Sequence, residues 1–493
     1  MKALIYGIDG GDNRIFDYFH MPFYQKIKKS FTQIPLNEDL INRGWSEIVT
    51  GKEGKDTGGL YISPMLDGST KFSMKYSISE VPQNTDIQLL WEAIGNNAKV
   101  GIMNVPSLNP VAPVNGFAVG SAGAGISKID QIDSDIAYPQ SAIDYLRKSG
   151  YIPDIRLGPS GITDVDELFS KLKEMEKKRV DSFIHLANQT EIDFGLLIDR
   201  GTTVVQYLFL SEINALMDRD ADKTPSFPPS AKIENLLRDF YSFVDDNIHR
   251  LYKSLAPDHF ILTADHGHEA MTHHCNPNNL LSLHGYYDSG KVGGESFVSH
   301  IYRSLFERIP RKYRARIRNL LSSTVVDKVE RIGTGFNREN TLAFSHWYMP
   351  GIYLNDSRFN GPVRDHQRDS LIEELCKLVN NDEVSIKHGI TASRYREKYS
   401  SSLYGEKLPD IKLNMPDYIF PTCRGKSYIS KNPLYGPVTS LENVQSDMHT
   451  GTKGSQPLCL VDPATAAHLD KRDPDNLTVV YKLVKRVFES ATQ

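Results

Sequence analysis

Two short apolar runs, far apart in the chain, end in the same way. Residues 2–8 read Lys-Ala-Leu-Ile-Tyr-Gly-Ile and deliver Asp9, Gly10 and Gly11. Residues 259–263 read His-Phe-Ile-Leu-Thr and deliver, after Ala264, Asp265, His266 and Gly267. Each run has the length and continuous apolar character of a strand covered on both faces. In an open α/β sheet, ligands gather beyond the carboxyl ends of the parallel strands. Two carboxylates and an imidazole brought to that edge suit a divalent metal, joining hard oxygen to borderline nitrogen donors. Asp9, Asp265 and His266 are therefore the first candidates for a site.

Helical periods separate further strands. Residues 85–97 place Ile87, Leu89, Leu90 and Ile94 on one face and lead into a strand over 99–104; residues 31–36 read as another strand. A long charged helix over 168–186 precedes the strand 194–198. Apolar residues at 233, 236, 237, 240, 244, 248, 251 and 255 mark a helix that feeds the strand before Asp265. Strands alternating with long helices predict a mostly parallel sheet flanked on both sides. No internal repeat or low-complexity segment interrupts this order.

At 493 residues the chain exceeds a usual single domain, so a large core with an inserted cap is expected: 1–270 as the first part of the core, 271–345 as a lid, 346–493 as its completion. A net charge of −4 argues against a general nucleic-acid binder. Cys275, Cys376, Cys423 and Cys459 are scattered, without a CxxC pair, so neither a zinc ribbon nor a disulfide scaffold is indicated. The first strand begins almost at Met1, and no apolar stretch reaches the ~20 residues of a membrane span. These features predict a soluble, cytoplasmic protein; they leave its oligomeric state open.

The region around 270–350 breaks the rhythm. It holds a histidine-rich loop at 271–275, a glycine-rich stretch at Gly290, Gly293 and Gly294, and a basic amphipathic run over 301–321. The plain reading of that run is a pair of surface helices with a solvated charged face. The sharper reading is a lid that attracts an anionic substrate or touches anionic lipid.

Several segments resemble, in order, type I phosphodiesterase/nucleotide pyrophosphatase proteins of the alkaline phosphatase superfamily. They are Gly7-Ile-Asp-Gly10, Gly44-Trp-Ser-Glu-Ile-Val-Thr-Gly51, Val100-Gly-Ile-Met-Asn-Val-Pro106, Pro113-Val-Asn-Gly-Phe117, Ala264-Asp-His-Gly267, Met415-Pro-Asp-Tyr-Ile419, and Asp447-Met-His-Thr450 with Gly454. Together they span roughly 1–290 and 340–470. Asp-His-Gly alone is common, whereas the ordered set is specific. The resemblance implies an alkaline-phosphatase-like α/β fold and hydrolysis of a phosphate ester or phosphodiester. It also implies one or two divalent ions, zinc or manganese, that clamp the attacking and leaving oxygens. The substrate would be an anionic phosphate- or sulfate-containing small molecule.

The family pattern is incomplete here. One metal set is carried over onto Asp9, Asp265 and His266. The other set takes an aspartate, a histidine four residues later and a histidine near the C-terminus. His449 matches the last, but the register of Arg200-Gly-Thr-Thr-Val-Val-Gln-Tyr207 puts Thr203 and Tyr207 in the other positions. A hydroxyl and a phenol are poor substitutes for carboxylate and imidazole. The family nucleophile, four residues before Trp45, falls on Ile41, which has no attacking atom. Thr57 stands where a histidine is usual; Asp39, Asn42, Ser46 and Thr57 are the weak substitutes. Trp45 reads as packing beneath the site.

Three readings stay open. The chain is a degenerate or repurposed homologue that binds or regulates; or a one-metal hydrolase in which metal-bound water attacks; or an enzyme whose second site is rebuilt from Asp199, His268, His273 or His274.

Overall fold

The computed structural model describes residues 1–120, 132–155, 157, 161–289, 336–423, 425–441 and 449–490. The basic run 301–321 and the glycine-rich stretch at 290–294 lie outside them.

The central sheet is built from β1 (Ala3–Ile8), β2 (Thr32–Gln33), β3 (Val100–Val105), β4 (Gly116–Gly120), β5 (Ala137–Tyr138), β6 (Phe194–Asp199), β7 (His259–Thr263) and, near the C-terminus, Cys459–Val461. In space β1 lies at the middle, with β6 on one side and β7 on the other, both parallel to it. β3 and β4 continue the parallel run beyond β6. Cys459–Val461 pairs antiparallel with β7 and β2, and β5 antiparallel with β4.

The helices that flank this sheet are α1 (Gly44–Thr50), α2 (Val165–Thr190), α3 (Gly201–Asp220), α4 (Ala231–Leu255) and α5 (Thr478–Glu489). Side chains of β1 alternate between two apolar layers, as the two-residue period of a strand requires. Leu4, Tyr6 and Ile8 join α2, α3 and α4, whereas Ala3 and Ile5 join Trp45, Ile48 and the apolar face of α5. The expected α/β architecture is present, with a mostly parallel sheet covered on both faces.

Local expectations fare unequally. The strand before Asp265 spans the expected residues, and the long helices extend slightly beyond theirs. Only Leu90–Ala93 of the helix expected over 85–97 forms, because the Thr85 side chain bonds the Val81 carbonyl and the Ile87 amide and turns the chain before it. The strand expected over 31–36 shortens to β2. Helix α3 was not anticipated. Fourteen of its residues are buried, so it shows no polar face and no amphipathic period.

A second apolar cluster lies outside this sheet. Four strands, Ala343–Phe344, Gly351–Leu354, Thr391–Arg394 and Ile411–Asn414, form an antiparallel sheet whose core joins Leu280, Leu281, Ile352, Leu354, Leu375 and Leu413. Among the described residues, no helix is long and apolar enough to cross a membrane.

Candidate metal centre and its cavity

The strand order positions the site. β1 and β7 are hydrogen-bonded neighbours, Gly7 opposite Thr263, so the residues just past their ends meet. Asp9 is further fixed by its amide, which donates to the Asp199 carbonyl at 2.8 Å at the end of β6. Gly10 turns the chain with φ +70°; a Cβ there would lie 2.1 Å from Cε1 of His268. Gly44 is equally constrained, since its Cβ would lie 2.3 Å from the Asp265 carbonyl oxygen.

Asp9, Asp265 and His266 converge. They are buried, and one ligand atom from each lies within 4.8 Å of the other two. Each carboxylate has one oxygen engaged and one facing the imidazole. Trp45 donates its indole N–H to Asp9 Oδ2 at 3.0 Å, and the Gly10 amide donates to Asp265 Oδ1 at 3.3 Å. The other oxygens stand 3.8 Å (Asp9 Oδ1) and 3.7 Å (Asp265 Oδ2) from His266 Nε2. Trp45 is thus both packing and the orienting donor for Asp9.

The tautomer of His266 follows from its other nitrogen. Nδ1 lies 2.7 Å from the Gly267 carbonyl, which only accepts, so Nδ1 carries the proton and Nε2 turns a lone pair toward the two carboxylates. Burial lowers the pKa of His266, favouring this neutral form. Burial, then the neighbouring charge of Asp9, raises the Asp265 carboxyl well above the usual range. Three acceptors aimed at one point call for a cation between them. Their spacing is near the ~3.4 Å edge of a tetrahedron around a zinc-sized ion. The residues present fit a divalent metal.

The neighbouring positions look different. Thr203 and Tyr207 lie one turn apart on α3 and both face the cavity. The Tyr207 hydroxyl approaches His266 Nε2 at 3.4 Å, and Thr203 Oγ1 lies 3.3 Å from His268 Nε2. His268 Nδ1 donates to the Gly10 carbonyl at 3.0 Å, so both its nitrogens have partners. Asp199 turns away from the cavity: its Oδ2 accepts from the Tyr6 hydroxyl at 2.6 Å, and burial pushes its pKa up to about 6. His449 is half-buried, donates its amide to the Tyr207 carbonyl at 3.1 Å, and lies outside the three-residue cluster.

The remaining candidates are dispersed. Ile41 packs with Leu60, Ile62, Met349 and Tyr353 and does not line the cavity, whereas Ser46 does, its Oγ 2.6 Å from the Tyr76 hydroxyl. Thr57 Oγ1 accepts the Gly59 amide and donates to the Glu53 carbonyl. Asn42 receives the Gly54 amide, and Asp39 pairs with Lys412. His273 and His274 sit on a short strand beside Tyr418 and Phe420.

The cluster opens into a cavity of about 750 Å³. Besides Asp9 and Asp265, its charged lining residues are Arg43, Lys75, Arg200 and Lys453, so cations outnumber anions even before a metal is added. Arg43 is locked into the wall: it donates to the carbonyls of Leu60, Tyr61 and Met74 and to Ser107 Oγ. Sequence reasoning missed Arg43 and Lys453. The available signal for Lys453 was its place in Gly451-Thr-Lys-Gly454, which starts two residues after His449.

Comparison with solved structures bears on the fold. Phosphonoacetate hydrolase from Sinorhizobium meliloti, solved with phosphonoacetate, superposes with a TM-score of 0.56 at 13% identity; its complex with phosphonoformate gives 0.55 at 12%. Each alignment covers 99% of this chain and 96% of the other. The fold is alkaline-phosphatase-like. A murine ectonucleotide pyrophosphatase/phosphodiesterase 5, an inactive variant in complex with AMP, aligns over 99% of this chain and 95% of its own, at 13% identity and a TM-score of 0.47. No protein-family model and no curated relative matches the sequence.

Proposed function

We propose that this alkaline-phosphatase-like protein is a metal-dependent hydrolase of a phosphate ester or phosphodiester. The observation that carries the proposal is the convergence of Asp9 Oδ1, Asp265 Oδ2 and the lone pair of His266 Nε2 at the wall of a cation-rich cavity. A zinc or manganese ion held there would supply Lewis acidity and lower the pKa of water. The chain's own residues do the rest. Trp45 and the Gly10 amide orient the carboxylates, and the cavity's cations attract an anionic phosphate or sulfate group. That phosphonoacetate hydrolase binds phosphonates on the same fold supports a small anionic substrate. Because Ile41 lies off the cavity wall, water is the proposed attacking group, with Ser46 the side chain to test against it.

A second reading has its own observation. Thr203 and His268 hydrogen-bond to each other, His268 also to the Gly10 carbonyl and Tyr207 to His266, and none of the three supplies an anionic ligand atom, which favours a homologue that binds without turnover. The test compares wild type and Asp265→Ala on bis-aryl and mono-aryl phosphate esters, with zinc or manganese supplied. Metal-dependent hydrolysis by the wild type that disappears in the variant supports the hydrolase. Background rates in both, with metal bound to the wild type, favour the binding protein.

A further inference from the structure

Lys453 is buried, 9% exposed, and the anion whose charge reaches it is Asp9. It lies on the strand Gly451–Gly454, antiparallel to Gly267–Ala270, directly opposite His268. Residues paired across two strands project from the same face, so the register sends the Lys453 side chain toward the site. Its ammonium sits 3.4 Å from the centroid of the Tyr61 ring. It lines both the 750 Å³ cavity and an adjoining one of about 380 Å³, with Tyr61 and Tyr348 shared between the two.

Two half-buried arginines differ from it. Arg43 is spent on three carbonyls and a hydroxyl, and Arg358 on Asp356 and Asp410. Lys453 has a ring face and the cavity. An ammonium in such a place loses hydration that an anion can replace. Burial lowers its pKa well below the ordinary lysine value, and the charge of Asp9 works against that shift. The carboxylates of Asp9 and Asp265 are committed to a metal in the reading above, and so do not answer its charge. What fits is an anion in the cavity.

The two α3 positions that face the cavity beside the cluster carry no charge. Thr203 and Tyr207 are neutral, so a single ion on the Asp9 side leaves part of a phosphoryl group's charge unmatched. We propose that Lys453 is the second cation of the site, its ammonium donating to a non-bridging oxygen of the bound phosphoryl or sulfuryl group. A fixed side-chain charge then does what a second metal ion does elsewhere. Tyr61 holds the ammonium in place when the cavity is empty, at the modest strength of a cation–π contact.

This inference rests on the proposed phosphoryl site, and the experiment separates the two. Zinc-loaded wild type, Lys453→Met and Lys453→Arg are titrated with inorganic phosphate in a calorimeter, and zinc per chain is measured for each. The expected result is about 10–100-fold weaker phosphate binding in Lys453→Met, the scale of one charge-assisted hydrogen bond, with zinc content unchanged and part of the affinity restored in Lys453→Arg. Phosphate binding that survives in Lys453→Met overturns the role of Lys453 and leaves the metal site standing. A wild type that takes up neither zinc nor phosphate overturns both. Should Lys453→Met not fold, wild-type protein is reductively methylated with and without phosphate. Protection of Lys453 by phosphate supports the proposal; no labelling, or labelling that phosphate leaves unchanged, overturns it.

Discussion

Two groups of polar side chains adjoin where the His266 and His268 rings meet at 4.9 Å, and they solve the burial of polar atoms in different ways. On one side Asp9, Asp265 and His266 present three acceptors to a common point. On the other, His268 donates to the Gly10 carbonyl and meets the Thr203 hydroxyl, while Asp199 accepts from Tyr6. His268 is held by hydrogen bonds with neutral partners, and Asp199 by the Tyr6 hydroxyl and the charge of the buried Arg179. The first group crowds three acceptors together, and a cation between them would relieve that crowding. Residue types alone would have ranked both as metal sites, since each holds aspartate and histidine. The difference lies in where donors are supplied.

The largest expected effect breaks the first group. Asp265→Ala removes one of two anionic ligands and should drop bound metal from about one ion per chain to near none, with at least ~10³-fold loss of any metal-dependent hydrolysis. Metal analysis of gel-filtered protein checks this. A matched substitution on the other side sharpens the comparison. His268→Ala leaves the Gly10 carbonyl and the Thr203 hydroxyl unpartnered, so it should cost about 1–3 kcal/mol of stability while metal content holds. Denaturant melts report the first outcome and metal analysis the second. Loss of metal in His268→Ala would erase the distinction between the two groups.

The smallest effect concerns α1, whose Trp45 orients Asp9. Two residues on, the buried Glu47 carboxyl lies against Glu38 with no hydrogen-bond donor of its own, and burial, then the charge of Glu38, raises its pKa well above the ordinary 4.5. The folded chain therefore keeps a proton that the unfolded chain releases near that value. Stability contributed by this group is full below it and declines as pH rises through the raised folded value. Glu47→Gln should melt above wild type at pH 8, with the gap closing toward pH 5. A constant gap across that range would mean that Glu47 does not hold the proton.

These contrasts also mark what the sequence could reveal. The strands ending on Asp9 and Asp265 were legible because buried parallel strands are short, apolar and abrupt, and the residues after them meet wherever such strands are neighbours. Helix α3 was not legible, because a helix buried all round carries no period. Its residues Thr203 and Tyr207 could be placed only by analogy. The orientation of Asp199 was equally hidden, since a residue at a strand end can turn toward the cavity or back to Tyr6, and only packing decides. Ile41 shows the hazard of counting along a loop. Its place among Leu60, Ile62 and Met349 follows from an apolar cluster formed partly by residues three hundred positions away. Lys453 escaped notice because a lysine in a glycine-bounded segment is ordinary until its side chain is seen to line the cavity.

The central claim is that one divalent ion belongs between Asp9, Asp265 and His266. Its most direct test is an anomalous-scattering map, recorded at the zinc and manganese edges, of crystals grown from protein purified without chelator. The account predicts one strong peak within ~2.0–2.2 Å of Asp9 Oδ1, Asp265 Oδ2 and His266 Nε2. It predicts no peak against Thr203 or Tyr207. A map empty at the three-residue cluster after zinc and manganese have been supplied, or one whose only ion sits at His268 and His449, would contradict it.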